Sequence, residues 1–172
     1  MTAMQHLKHP ERFLVAAVAA LVLIAGSPMI RAQAGDLEDL AAFPRQTLTI
    51  HLGSGKKQTL EYEVWLADTP RRQAQGLMFV RSLAPKRGML FVHESPRPIG
   101  MWMKNTYIPL DMLFIDARGR IQQIVENTIP HSLDVIRSRE PMLAVLEIAG
   151  GEARRLGIAP GQRVSHPAFA QP

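Results

Sequence analysis

From Gln46 to Ser165 the chain runs in short apolar and polar stretches, broken by turn residues roughly every ten positions. Residues 47–52 alternate, Gly53-Ser54-Gly55-Lys56-Lys57 turns, and residues 59–67 alternate again with Leu60, Tyr62, Val64 and Leu66 on one face. That pattern predicts a β-hairpin. Thr69 then caps a two-turn helix that starts on Pro70, continues through Arg71 to Gln75 and stops at Gly76. Residues 89–92 are apolar throughout, as in a strand buried on both faces, and the two prolines in 94–98 predict a rigid loop. A strand ending at Ile115 turns through Ala117-Arg118-Gly119 into a partner at 121–126. Residues 127–141 are irregular, a candidate lid or binding loop. A strand over 142–148, a short helix over 152–156 ended by Gly157, and a last strand over 163–165 complete the series. About seven strands and two short helices make a mainly β, β-rich α+β domain: a compact, mostly antiparallel sandwich or barrel.

The N-terminus breaks this rhythm. Lys8 and Arg12 precede an uninterrupted apolar run over 13–25, which Ser27 and Pro28 end before Ala32-Gln33-Ala34. Basic, apolar and small-x-small segments in that order predict a signal peptide over 1–34, cleaved after Ala34. Retained, the same stretch is just long enough to anchor the chain in a bilayer. Both readings export the rest, to the periplasm or the medium, because the basic end stays on the cytoplasmic side. The remainder divides into a loosely held lead-in (35–45), one β-rich domain (46–166) and a short C-terminal tail (167–172).

Of the 172 residues, 20% are charged, and removing the leader leaves 17 basic and 14 acidic side chains, a formal charge of +3. The signs are interspersed, which argues against a nucleic-acid track. With no cysteine, disulfides, thiolate metal sites and a cysteine nucleophile are excluded.

Candidate chemistry gathers between Met101 and Asp116, where an indole, an ammonium, an amide, a hydroxyl and a carboxylate interrupt an apolar region. In an extended segment Met101, Met103 and Asn105 face one way and Trp102, Lys104 and Thr106 the other. The methionines then fill core while Trp102 and Lys104 cover the outer face, or the second set forms a ligand face in an apolar pocket. Asp111, with Leu113 and Ile115 on its own face and Leu110, Met112 and Phe114 on the other, needs a partner; Lys104, Arg81 and Asn105 are candidates. Glu147 poses the same problem inside 142–148. The two carboxylates are candidate acid and base of a hydrolase, or structural ion pairs. Met101, Met103 and His93 are candidates for Cu(I) or Ag(I), because thioethers suit soft cations. No Gly-x-Ser-x-Gly, phosphate loop or dinucleotide fingerprint is present.

Ala67-Asp68-Thr69-Pro70, Gly76-Leu77-Met78, Gly88-Met89-Leu90-Phe91, Trp102-Met103-Lys104-Asn105-Thr106, Pro109-Leu110-Asp111, Phe114-Ile115-Asp116 and Gly119-Arg120-Ile121 closely resemble the domain-of-unknown-function family 192. The resemblance extends over roughly 60–164, ends with Leu146-Glu147 and Leu156-Gly157-Ile158, and implies a compact β-rich domain, often exported in bacteria, of no established activity. The residues favour a binding module for a small polar or anionic ligand, using Arg81, Trp102, Lys104, Asn105, Thr106 and Asp111. The soft-metal protein and the carboxylate hydrolase are the alternatives. No cofactor and no nucleic-acid partner are expected, and membrane contact only through an uncleaved leader.

Overall fold

A computed structural model describes residues 37–53 and 58–169, so the predicted leader and the tip of the first hairpin lie outside the described residues. Strands β1 (Arg45–Leu52) and β2 (Gln58–Ala67) form the expected hairpin, with Ile50 opposite Leu60. Helix α1 (Pro70–Gln75) follows, its first turn capped by the Thr69 hydroxyl, and leads to β3 (Arg87–Arg97). Next come β4 (Gly100–Met101), β5 (Leu110–Ile115), β6 (Ile121–Val125), β7 (Ile136–Arg137) and β8 (Met142–Ala149). Helix α2 (Glu152–Leu156) and β9 (Arg163–Ser165) close the series. Seven strands form one sheet in the order β6-β5-β8-β3-β2-β1-β9, while β4 and β7 make a separate ribbon. The sheet curls into a half-barrel. At its far end the Val164 amide donates to the Gly119 carbonyl at 2.7 Å and the Ile121 amide to the Gln162 carbonyl at 3.0 Å.

Because side chains alternate along each strand, the curl separates two cores. Inside it, Leu48, Ile50, Tyr62, Val64, Leu90, Leu113 and Leu146 pack with Ala153 and Phe169. On its outer face Met89, Phe91, Met112, Phe114 and Val145 are covered by Phe43, Leu77, Ile99 and Met103. The candidate site belongs to the outer layer.

The mainly β architecture matches the sequence pattern, with four differences of detail. β2 and β3 run parallel, because α1 carries the chain back across the sheet between them. β3 continues into the stretch read as a loop and ends at Arg97, before the second proline; Pro96 is tolerated because pairing with β8 lapses between Val92 and Arg97. The segment after Asn127 contributes β7. Finally, the described part of the lead-in, from Leu37 onward, is pinned. Leu40–Ala42 form a turn of 3-10 helix capped by Asp39, Phe43 is buried, and Glu38 binds the Arg72 guanidinium at 2.9 Å.

Candidate functional site

Asp111 is fully buried, and its partners are backbone amides rather than any of the side chains the sequence suggested. Its Oδ1 accepts from Asn127 N at 2.8 Å and Gly151 N at 2.9 Å, and its Oδ2 accepts from Ala153 N at 2.8 Å. Two of these three donors open α2. The carboxylate therefore holds the start of that helix to the sheet.

Glu147 is on the opposite side of the same sheet. It stands across from Met89 of β3 and Met112 of β5, both in the outer core, whereas Asp111 stands across from Ile148, which faces the inner core. Directly opposed residues of antiparallel strands share a face. The two carboxylates thus share no cleft, and a hydrolase built on the pair has no geometry to work with.

The Glu147 side chain instead faces a cavity of about 60 Å³ between the outer face of the sheet, the end of α1 and the strand and turn at 100–106. Residues 73–78 form one wall, Phe91 and Glu147 the base, and Gly100, Met101, Trp102, Lys104 and Thr106 the other wall. Glu147 is 4% exposed and makes no hydrogen bond or ion pair among the described residues. Burial alone pushes its pKa up to about 8, so the carboxyl is mostly protonated at neutral pH. The neighbouring polar groups are already engaged. Gln75 exchanges hydrogen bonds with the Glu38 backbone, Gln73 Nε2 donates to the Ala67 and Val92 carbonyls, and Thr106 Oγ1 donates to the Lys104 carbonyl. At the base of the cavity Glu147 is left free to bind a guest, with the Lys104 ammonium at the mouth.

Local backbone geometry shapes the walls. Gly76 ends α1 with φ +51°, and a Cβ there would stand 3.1 Å from Phe91 Cζ, so the wall approaches the sheet this closely only with glycine. The opposite wall is not the extended segment that alternation predicted. It turns after Met103, with Asn105 at φ +55° and the Thr106 amide bonded to the Met103 carbonyl. The turn buries Thr106 and leaves Trp102 and Lys104 exposed at the mouth, with the ammonium 5.5 Å from the centre of the indole.

Of the predicted ligand residues, Trp102, Lys104 and Thr106 line the cavity, while Arg81, Asn105 and Asp111 do not. Arg81 lies over the Tyr107 ring at 5.2 Å, and Asn105 supports the wall by accepting the Phe79 amide at 2.8 Å. The proposed metal ligands are separated. Met101 lines the cavity, His93 lines a different cleft beside Asp68 and Glu94, and the buried Met103 sulfur accepts from the Thr128 hydroxyl at 3.1 Å. The sequence reading missed the α1 wall and Phe91. Phe91 was findable in part, since period two places it on one face with Met89.

The family model DUF192, described as Uncharacterized ACR, matches residues 51–166. The chain belongs to the DUF192 family. A search of curated proteins found no match. Among solved structures, a Sinorhizobium meliloti protein provisionally described as a transcription regulator shares 45% identity, covering 74% of this chain and 97% of its own, with a TM-score of 0.71. A Novosphingobium aromaticivorans protein of unknown function shares 35% identity, covering 76% of this chain and 91% of its own, with a TM-score of 0.70. The matched span of the DUF192 model includes both Asp111 and Glu147, the two carboxylates that the fold puts to different uses.

Proposed function

We propose that this DUF192 chain is an exported binding module for a small polar or anionic ligand, which enters past the Trp102–Lys104 pair at the mouth and rests its hydrogen-bonding end on Glu147. The observation that carries the reading is the carboxyl that has no protein partner among the described residues and opens onto the cavity, where a guest can supply the missing hydrogen bond. A protonated carboxyl donates one O–H, which suits a carbonyl, amide or carboxylate oxygen. Lys104 at the mouth favours negative charge on the part of the ligand that stays near solvent, and Trp102 offers it a flat apolar face. The cavity admits a ligand end of about four to six non-hydrogen atoms, given the roughly 10–15 Å³ that each water-sized centre needs. Export rests on the order of basic, apolar and small residues in 1–34. Among the described residues, no helix is long and apolar enough to cross a membrane.

Calorimetric titration with acetate and acetamide at pH 6.5, repeated on E147L, tests the binding reading. Heat that is present for the wild type and absent for E147L is the expected result; equal heats for the two proteins overturn it. The sign of the pH dependence follows from the donor. Binding through the protonated carboxyl is intact below pH 8 and lost as pH rises through about 8. N-terminal sequencing of the protein from fractionated cells tests export, with Gly35 the expected first residue.

A further inference from the structure

Large apolar side chains stand exposed at six places among the described residues, and five of them, all but Leu37, lie on the 100–106 wall of the cavity or on segments that adjoin it. They are Phe79, Trp102, Ile129, Leu133 and Val135, each between 44% and 73% exposed. Backbone bonds tie their three segments together. Phe79 N donates to Asn105 O at 2.8 Å, Met103 N to Ser132 O at 3.0 Å and His131 N to Thr106 O at 3.2 Å. Tyr107 fills the space between them, its ring centroid 5.8 Å from that of Phe79 and 5.2 Å from that of His131. Val135 lies against Gly100, where a Cβ would be 3.0 Å from its Cγ1. Phe79 and His131 are held at φ +64° and +63°, a left-handed conformation that costs such residues energy and that the surrounding bonds enforce. A rigidly built, exposed apolar surface of this kind marks an interaction site.

The charges around it indicate what it meets. The Lys104 ammonium lies 5.5 Å from the Trp102 ring centre, the Arg81 guanidinium 5.2 Å from that of Tyr107, and Arg137 pairs with Gly100 at the edge. None of these three cations makes an ion pair among the described residues. Asp134 is the one carboxylate in 128–137, and it accepts from the Ser132 hydroxyl. A second copy of the chain meeting this face symmetrically would set cation against cation. An anionic lipid surface is complementary in both respects, because apolar loop tips enter the headgroup boundary, aromatic rings lie at headgroup level and cations meet phosphates.

We propose that this face docks the domain on membranes containing anionic phospholipid, with Ile129 and Leu133 inserted and Arg81, Lys104 and Arg137 against the lipid phosphates. The docking is independent of any leader in 1–34 and of the ligand-binding reading, although it turns the mouth of the cavity toward the lipid.

Tryptophan emission of the full chain carrying W65F, which leaves Trp102 as its one indole, tests the proposal on phosphatidylcholine vesicles with and without phosphatidylglycerol. The expected result is a blue shift and quenching by bromine-labelled lipid on the phosphatidylglycerol vesicles alone. I129S/L133S, checked for its native circular dichroism, abolishes both signals. K104Q and R137Q each weaken binding roughly fivefold, as befits a cation worth about one such factor at an anionic surface. Protein that sediments with vesicles while Trp102 emission stays unchanged is held by its leader, and overturns the proposal. So does a shift that ignores phosphatidylglycerol, or an I129S/L133S chain that binds like the parent. Self-association that I129S/L133S abolishes, without any vesicle response, assigns the face to a second copy and equally overturns it.

Discussion

At the scale of single residues, Glu147 is an expensive side chain to keep. A carboxyl whose pKa rises from 4.5 in the unfolded chain to about 8 in the folded one lowers stability wherever the unfolded chain alone is ionised. Below pH 4.5 both states hold the proton and the cost vanishes. It grows between pH 4.5 and 8 and stays constant above, on the order of 4–5 kcal/mol at 1.36 kcal/mol for each pH unit. E147Q has no such titration. Its urea stability is therefore expected to be close to the wild type's at pH 4 and to exceed it by several kcal/mol at pH 8.5. Denaturation curves across this range check the point, and a gap that does not widen with pH rules out a buried, unpartnered acid. Structural carboxylates are normally paired, so a side chain that weakens the fold at working pH and faces a cavity is one retained for what it binds.

At the scale of elements, Asp111 shows how a short helix is fastened. α2 has five residues, too few to persist without tertiary support, and its N-cap is Gly151, which has no side chain with which to cap it. Asp111 of β5 supplies the missing acceptor from the sheet. In D111N the amide has one acceptor oxygen, so however it is turned at least one of the three N–H donors faces an NH₂ group. A loss of about 2–3 kcal/mol is expected, the scale of a hydrogen bond to a charged group. Amide exchange at Gly151 and Ala153 should accelerate, while acetate binding at the Glu147 cavity should not change. Weakened acetate binding in a fully folded D111N protein would show that the two faces of the sheet are coupled. The two carboxylates look alike in the sequence: each interrupts an apolar strand. Assigning them to different faces requires the pairing of Met112 with Glu147, a register between strands that are not neighbours in the chain. The strands and α1 were legible because period two, the Thr69-Pro70 start and the Gly76 stop are local signals. The turn at Asn105 and the β4–β7 ribbon were not, since packing between distant segments decides them.

At the scale of the whole molecule, the same limit explains why only part of the cavity could be named in advance. Lys104, Trp102 and Thr106 lie in one conspicuous stretch, and Glu147 was visible as a carboxylate out of place. The α1 wall is brought to them only because β2, α1 and β3 form a parallel crossover that sets the end of the helix over Phe91. How the sheet closes is a further consequence of distant pairing. β9 lies between β1 and the turn before β6, where His51 is opposite Arg163 and Arg120 bridges Arg163 from the other side. Val164 and Phe169, both buried, pack from this last segment into the inner core. Burying two such side chains contributes about 3–6 kcal/mol, and the strand also satisfies the edges of its neighbours. Domains of this size have a net stability of about 5–15 kcal/mol, so a chain ending at Gln162 is expected to lose cooperative folding although it keeps the whole Glu147 cavity lining. A sigmoidal thermal transition by circular dichroism in that truncated chain, within a few degrees of the parent, would show that β9 is an appendage and that the curl stands without it.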